Sequence, residues 1–289
     1  MSIKASELIL NQDGSVYHLN LRPEHIADTI ITVGDPDRVD TVTRHFDAIE
    51  IQTRKREFHT QTGVYKGKRI TVVSTGIGTD NIDIVLNELD ALVNIDLEKR
   101  EIKPQLTSLD IIRIGTSGSI QKEIPLNAML ISEYAAGFDS LLHFYDSKHF
   151  QIDDISEALI EQTNWSQSKS KPYVVTCDES LLKKFSSKET YNGFTATNVG
   201  FYGPQGRVLR LPLEDDQLND KLANFSYNGM SITNMEMETA GIYGLSKLLG
   251  HKALSMNAII ANRATGEFTK DPKKVVEDLI IYCLERIVQ

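Results

Sequence analysis

The sequence predicts an α/β fold in which helices cover both faces of a mostly parallel sheet, giving three layers. Two observations indicate this class. Short runs that are rich in β-branched residues and mostly uncharged recur along the 289-residue chain and are typical of buried strands. Longer runs with apolar residues at helical spacing follow several of them. Because no repeat, low-complexity tract or Pro/Gly/Ser-rich linker divides the chain, we expect one domain over residues 1–289.

In the first half of the chain, three predicted strands alternate with helices. Residues 29–33 (TIITV) predict a strand, and residues 37–46 have helical character. A second strand is expected at residues 69–75, and residues 80–93 then place apolar side chains on one helical face. A third strand is expected at residues 109–114. These strands run into glycines, where we expect turns, at Gly34, at Gly76 and Gly78, and at Gly115 to Gly118.

The second half of the chain continues the alternation. Further strands are expected at residues 128–134, 173–177, 195–199, 230–233 and 254–260. Residues 239–249 predict a helix directly after one of these strands. The final helix is expected to begin at Asp271-Pro272, because Asp is a favoured N-cap residue and Pro is favoured at the first helical position.

The composition is that of a globular protein, and it limits the class of partners. Hydrophobic residues make up 40% of the chain and charged residues 25%, and the net charge is -9. A negative chain is poorly suited to a general nucleic-acid or anionic-membrane surface. Cys177 and Cys283 lack metal-ligand spacing, and two lone thiols favour a reducing compartment. Without an apolar signal core or a run of transmembrane length, we expect a cytoplasmic protein.

The glycine turns and two arginines predict a phosphate site. Glycine lets backbone N–H groups approach an anion closely, and a helix N-terminus adds positive potential. Arg38 lies one turn into the helix after Gly34, and Arg113 lies in an otherwise apolar strand, where a charge is costly unless it is paired. Together with Thr116, these residues could form a bidentate phosphate clamp. Any one glycine turn could equally be structural, and Arg56 could simply face solvent.

Two carboxylates, Glu236 and Glu238, lie between a predicted strand and a predicted helix, on either side of Met237. Residues two apart in an extended backbone share a face, so both carboxylates could converge on one polar ligand at the carboxyl end of the sheet. The alternative is that they only stabilise the N-terminus of the following helix through its dipole. The spacing alone does not separate these interpretations.

A third group of residues lies in the segment from Gly200 to Arg207. Phe201 stands near a Gly-Pro turn, and Gln205 and Arg207 follow two residues apart. A flat heterocycle could stack on the aromatic ring, while glutamine offers both a donor and an acceptor and arginine offers only donors. This set matches the imide-and-carbonyl edge of a pyrimidine. An ordinary turn with two exposed polar side chains is the alternative.

Together, the anion site, the carboxylate pair and the heterocycle segment resemble the nucleoside phosphorylase family, and most closely its uridine phosphorylases. The resembling segments keep the family's order from residue 17 to residue 263 and are Tyr17-His18-Leu19, Gly34-Asp35-Pro36-Asp37-Arg38-Val39, Arg56-Glu57-Phe58, Ser74-Thr75-Gly76-Ile77-Gly78, Glu88-Leu89, Arg113-Ile114-Gly115-Thr116, Phe201-Tyr202-Gly203-Pro204-Gln205-Gly206-Arg207, Glu236-Met237-Glu238 and Asn262-Arg263. The resemblance implies a three-layer α/β/α sandwich with a central mixed, mostly parallel sheet.

The resemblance also implies an activity. A pentosyltransferase of this kind reversibly cleaves uridine with inorganic phosphate to uracil and ribose 1-phosphate in pyrimidine salvage, and deoxyuridine or thymidine are further candidate substrates. Phosphate would be the co-substrate, and no metal or organic cofactor is expected. The partners would be these small molecules, not nucleic acid or a membrane. The chain would form a homo-oligomer, at least a dimer, and bacterial relatives are commonly hexamers.

The site roles follow from the resemblance residue by residue. Phosphate would be bound by Gly34, Arg38, Arg113 and Thr116, with Arg56 from a neighbouring subunit. Ribose would be bound by Thr116, Met237 and Glu238, with His18 from the neighbour at the 5′-hydroxyl. The base would be bound by Phe201, Gln205, Arg207 and Glu236. The catalytic set would be Arg113, Arg207, Gln205 and Glu238.

One departure from the family and two alternatives remain. The family's glycine-turn signature usually continues with Pro or Ala and then Ser, where this chain has Asp80 and Asn81. In some bacterial members that serine helps an equivalent of Glu57 hold a monovalent cation at a dimer interface, so such a cation is in doubt here. A purine nucleoside phosphorylase or nucleosidase of the same fold would carry an aspartate where this chain reads Asn262-Arg263. A non-catalytic nucleoside-binding module is the other alternative.

Overall fold

The computed structural model describes residues 2–289. Its strands are β1 (Thr29–Val33), β2 (Ala48–Lys55), β3 (Phe58–Tyr65), β4 (Lys68–Ser74), β5 (Ile95–Asp96), β6 (Glu101–Ile102), β7 (Asp110–Ser119), β8 (Met129–Gly137), β9 (Tyr173–Thr176), β10 (Thr190–Thr197), β11 (Ile232–Glu236), β12 (Lys252–Asn262) and β13 (Glu267–Phe268). Its helices are α1 (Pro36–Thr43), α2 (Thr79–Asn94), α3 (Asp153–Thr163), α4 (Glu179–Phe185), α5 (Leu218–Asn224), α6 (Thr239–Leu249) and α7 (Pro272–Val288). Over the described range, no helix is both long and apolar enough to cross a membrane.

An 11-stranded mixed sheet with helices on both sides forms the centre of the molecule. β1 pairs in parallel with β4 on one side and with β7 on the other, and β3 and β2 continue from β4 as antiparallel neighbours. β7 also pairs with β12 and with β11. Because β12 pairs with β8, β8 with β10, and β10 with β11, these five strands close on themselves, and we call them the strand ring. The predicted fold class is confirmed.

Local sequence signals account for several of the helices. The Asp35 side chain accepts a hydrogen bond from the backbone N–H of Asp37 and caps α1. The Asp271 side chain caps α7 in the same way, with Pro272 at the first helical position as predicted. α6 has the predicted bounds, and its buried face packs against β8, β10 and β12 because most of its residues are small or apolar.

The predicted turn from Gly115 to Gly118 is wrong. β7 continues through these residues to Ser119, because β12 pairs along it from Asp110 to Ser119 and β11 pairs with its last two residues. Gly115 serves a different purpose, since a Cβ atom at this position would lie 1.9 Å from Nη1 of Arg113. The glycine leaves room for a neighbouring guanidinium group instead of turning the chain.

The hairpin of β2 and β3 was not predicted, because β2 is largely exposed and its polar side chains hide the strand pattern. The two strands pair up to Lys55 and Phe58, so Arg56 and Glu57 form a two-residue turn. Arg56 has a φ of 55°, in the left-handed region. Such a φ is uncommon outside glycine and is a reason to look for a function at this residue.

Candidate active site

A cavity of about 730 Å³ opens beside the carboxyl ends of β1, β4 and β11 and the second half of β7. Most of the predicted site residues line it, namely Gly34, Arg38, Arg113, Thr116, Phe201, Gln205, Arg207, Glu236, Met237 and Glu238. His18 and Arg56 are not among its lining residues. We call the part around Arg38 and Arg113 the arginine end, and the part around Gln205 and Arg207 the loop end.

Arg113 holds the centre of the arginine end. Its Nη2 lies 2.6 Å from Oε2 of Glu238 and 3.1 Å from Oε2 of Glu236. Its Nη1 donates to Oδ1 of Asn257 at 3.1 Å and more weakly to Oγ of Ser255 at 3.4 Å. Burial alone would lower the pKa of Arg113, but the two carboxylates outweigh it and raise the pKa above its ordinary value. The guanidinium therefore stays charged although it is buried.

The two carboxylates have different contacts. Oε2 of Glu236 accepts from the backbone N–H groups of Glu238 and Thr239 at 2.8 and 2.9 Å, and Oε1 accepts from the Thr197 hydroxyl at 2.6 Å. Glu236 therefore caps α6, as the helix-terminus interpretation predicts. Oε1 of Glu238 accepts from the backbone N–H of Gly78 at 2.9 Å, and the φ of 93° at this glycine suits the turn after β4. Both carboxylates also converge on Arg113, a side chain of the protein itself, so their binding of a polar ligand stays a prediction.

Arg38 and Thr116 complete the arginine end. Nη1 of Arg38 reaches from α1 to the carbonyl oxygen of Ile114 at 3.4 Å. Burial and the positive charge of Arg113 lower the pKa of Arg38, so the two guanidinium groups are close enough to repel each other. Two guanidinium groups beside a hydroxyl form a site whose chemistry suits an anion such as phosphate.

Helix N-termini add to the positive potential of this end. α1 begins two residues after Gly34, and α2 begins directly after Gly78, each at the carboxyl end of a strand. The dipoles of both helices favour a negative ligand, although the first N–H of α1, that of Asp37, already donates to the Asp35 side chain. In the described part of the chain, no group of three or more His, Cys, Asp or Glu side chains could hold a metal ion.

The loop end is formed by residues 198–217, after β10. Gln205 is buried, and its Oε1 accepts from Nη1 of Arg207 at 2.7 Å. Arg207 also donates to the carbonyl oxygen of Phe201 at 2.6 Å, and its guanidinium carbon lies 3.8 Å from the centre of the Phe201 ring. Arg263 and Asn219 both donate to the backbone carbonyl of Gln205 and hold the loop at this point. Burial lowers the pKa of Arg207.

His18 lies outside the cavity of its own chain and is held in place by Glu88. The backbone N–H groups of His18 and Leu19 donate to the Glu88 carboxylate at 2.9 and 2.8 Å, and Nδ1 of His18 lies 2.6 Å from Oε1 of Glu88. A carboxylate at Nδ1 leaves Nε2 to make another contact. Arg56 is exposed at the hairpin turn. Both positions are compatible with residues that serve a neighbouring subunit.

Several residues around the cavity were missed from the sequence. Glu57 and Phe268 line it, Asn257 binds Arg113, and Arg263 holds the loop end. Asn257 had a signal like that of Arg113, because it is a polar residue inside an apolar strand. Glu57 and Arg263 had no signal beyond their place in segments that resemble the family, and Phe268 had none.

Residues 28–288 match the profile of the Phosphorylase superfamily. The chain belongs to this superfamily. A uridine phosphorylase of Thermococcus kodakarensis is 29% identical over 269 residues, which cover 91% of this chain and 83% of the relative. A DeoD-type purine nucleoside phosphorylase of Listeria monocytogenes is 26% identical over 275 residues, which cover 94% of this chain and 99% of the relative.

A solved structure gives the same picture of this phosphorylase. The crystal structure of a Trypanosoma brucei nucleoside phosphorylase, described as showing uridine phosphorylase activity, superposes with a TM-score of 0.88 and 30% sequence identity. The match covers 97% of this chain and 99% of the other. The resemblance to nucleoside phosphorylases is therefore confirmed. Because the relatives include both uridine and purine enzymes, the base has to be inferred from the residues of the site.

Proposed function

We propose that this phosphorylase is a uridine phosphorylase, a pentosyltransferase that cleaves uridine with inorganic phosphate to uracil and ribose 1-phosphate in pyrimidine salvage. The observation that carries the proposal is that one cavity joins the anion-binding arginine end to the paired side chains of Gln205 and Arg207. The relatives that act on uridine support it. The loop after β12, from Arg263 to Gly266, contains no aspartate of the kind expected in a purine enzyme.

The charges at the two ends match the charge that develops in this reaction. Breaking the N-glycosidic bond builds positive charge on the ribose and negative charge on the departing uracil. Phosphate at the arginine end would stabilise the ribose and attack its anomeric carbon. Arg207 and Gln205 would stabilise the uracil, because preorganised donors are worth most where charge develops. With phosphate as nucleophile and arginines as the charged groups, the proposed reaction needs no metal or organic cofactor.

The ribose would lie between the two ends. Glu238 would accept hydrogen bonds from its hydroxyls, and its own position is fixed by Gly78 and Arg113. Met237 would supply an apolar surface for the sugar, and both effects orient the substrate. Glu236 already accepts hydrogen bonds at both oxygens, so we propose that it supports the base side by holding the end of β11.

We also propose a homo-oligomer, at least a dimer. Glu236 and Glu238 offset the positive charges of Arg38 and Arg113, so a phosphate dianion needs further positive charge. Arg56 is exposed on a strained turn and could supply that charge to a neighbouring subunit. His18, held by Glu88, would reach the same site from the neighbour. An enzymatically active monomer, measured by light scattering and assay on one sample, would contradict this proposal.

A cytoplasmic location is proposed as well. Cys177 and Cys283 are both free and buried. Burial raises the pKa of Cys177 to about 12, so its thiolate form is scarce at neutral pH. Two unpaired thiols support a reducing compartment.

The test is an ultraviolet absorbance assay on uridine, deoxyuridine, thymidine, inosine and adenosine, each with and without phosphate. We expect loss of uridine that depends on phosphate and little loss of either purine nucleoside. Absence of uridine turnover in the presence of phosphate would overturn the proposal. Uridine turnover without phosphate would indicate a nucleosidase, and preferred inosine turnover would indicate a purine enzyme.

A further inference from the structure

A continuous path of hydrogen-bonded polar side chains, which we call the polar path, runs inside the strand ring. They are all buried and come from every strand of the ring, in the order Arg113, Asn257, Ser132, Thr195, Asn234 and Ser117. The first and last lie on β7 and both line the active-site cavity. The polar path therefore runs once around the ring and returns to the site.

Each hydrogen bond of the polar path has a normal length. Nδ2 of Asn257 donates to the Ser132 hydroxyl at 3.0 Å, and that hydroxyl lies 2.5 Å from the Thr195 hydroxyl. Thr195 donates to Oδ1 of Asn234 at 2.9 Å, and Nδ2 of Asn234 donates to the Ser117 hydroxyl at 3.0 Å. Buried amides are costly unless they are paired, and both buried asparagines are paired at both ends.

Asn257 lies where the polar path meets the active site. A guanidinium group only donates, so Arg113 requires an acceptor, and Oδ1 of Asn257 supplies it at Nη1. Ser132 then holds the amide in the orientation that presents this oxygen. Arg113 is thus held on one edge by a neutral amide and on the other edge by two carboxylates.

We propose that Asn257 is a positioning residue for phosphate binding, an inference that rests on the proposed phosphorylase reaction. It fixes the orientation of the Arg113 guanidinium without removing its charge. Without Asn257, the guanidinium would be held mainly from the Glu238 edge, because the contact to Ser255 is weak. An aspartate at this position would have the same shape but would place a third carboxylate around one guanidinium, and would reduce the positive potential that phosphate needs.

The test compares Asn257→Ser and Asn257→Asp with a matched variant, Asn234→Ser. Asn234 is an equally buried amide of the polar path, and it makes no hydrogen bond with Arg113. Phosphate affinity is measured by titration calorimetry with inorganic phosphate alone, and KM values for phosphate and uridine are measured by the absorbance assay. We expect phosphate binding to weaken about 5-fold in Asn257→Ser and more than 10-fold in Asn257→Asp, with the KM for uridine changed less than 2-fold.

Asn234→Ser should lower the melting temperature as Asn257→Ser does but leave phosphate binding within 2-fold of wild type. Equal loss of phosphate binding in both serine variants, or none in either, would overturn the proposal. If the Asn257 variants do not fold, Ser132→Ala removes only the hydroxyl that orients Asn257, and unchanged phosphate binding in that variant would overturn it as well. A wild-type protein that binds no phosphate would instead refute the proposed function, and this outcome needs no substitution to be seen.

Discussion

The two ends of the cavity are built in opposite ways. At the arginine end, Arg113, Glu236 and Glu238 are only 5%, 4% and 6% exposed and lie on or next to paired strands. At the loop end, Phe201 and Tyr202 are 52% and 54% exposed and belong to a long connection between β10 and α5. Apart from Asn198 next to β10, only Gln205 is buried in this connection, and it is held by hydrogen bonds from Arg207, Asn219 and Arg263.

This difference matches a division among the substrates of nucleoside phosphorylases, between the parts that they share and the base, which varies. Phosphate is the same co-substrate in every phosphorolysis and the sugar varies little between nucleosides. Their proposed ligands in the cavity lie in β7, directly after β1 and β11, or on α1. The base differs between substrates, and its proposed ligands lie on a loop, where side chains can change at little cost to the fold. The similarity of this chain to both uridine and purine phosphorylases agrees with this division.

The largest effect is expected from Arg113→Ala, which tests how far the arginine end is part of the fold. The substitution leaves two buried carboxylates without their shared partner, and breaking such a pair costs roughly 3–5 kcal/mol of stability. It also removes a donor from the phosphate site, so we expect kcat/KM to fall about 1,000-fold. Urea unfolding and the absorbance assay measure the two quantities. A stable variant with lost activity would show that the carboxylates do not depend on Arg113.

Arg207→Ala is the matching substitution at the loop end. Arg207 is half-buried and donates to Oε1 of the buried Gln205, so its loss should cost about 1 kcal/mol of stability, less than the loss of Arg113. Loss of a donor to the departing uracil should lower kcat/KM for uridine about 100-fold. Phosphate affinity should remain that of wild type. Equal damage to phosphate binding and uridine turnover would place Arg207 outside the base site.

Gly115→Ala tests whether the arginine end needs the space that this glycine leaves for the Arg113 guanidinium. The new Cβ atom would lie 1.9 Å from Nη1 of Arg113, so the guanidinium must move away from its partners. We expect phosphate affinity to fall about tenfold, and stability to fall by about 1–3 kcal/mol as in other overpacked interiors. Gly118→Ala in the same strand is the control, since its Cβ would meet nothing closer than 3.7 Å. The same loss of phosphate affinity in both variants would contradict the role given to Gly115.

The sequence predicted where β1 and β4 end, and which charged residues lie near the ends of β1, β7 and β11, because those signals are local. Arg113 in an apolar strand indicated a buried pair, and two glutamates before a helix indicated convergence or a cap. The continuation of β7 past Gly115 was not predictable, because it depends on pairing with β11 and β12, which are distant in the chain. For the same reason, the role of Asn257 became visible only when the ring placed it beside Arg113.

The smallest effect is expected from Glu88→Gln, which tests whether one chain's site is completed by another. The Glu88 carboxylate accepts from two backbone N–H groups and faces Nδ1 of His18, whereas an amide would place a donor against one of them. His18 should then be held less firmly, and kcat/KM for uridine should fall about fivefold, a loss of about 1 kcal/mol. 5′-Deoxyuridine lacks the hydroxyl proposed to meet His18, so its kcat/KM should not change. Equal loss for both nucleosides would show that Glu88 only stabilises the N-terminal segment.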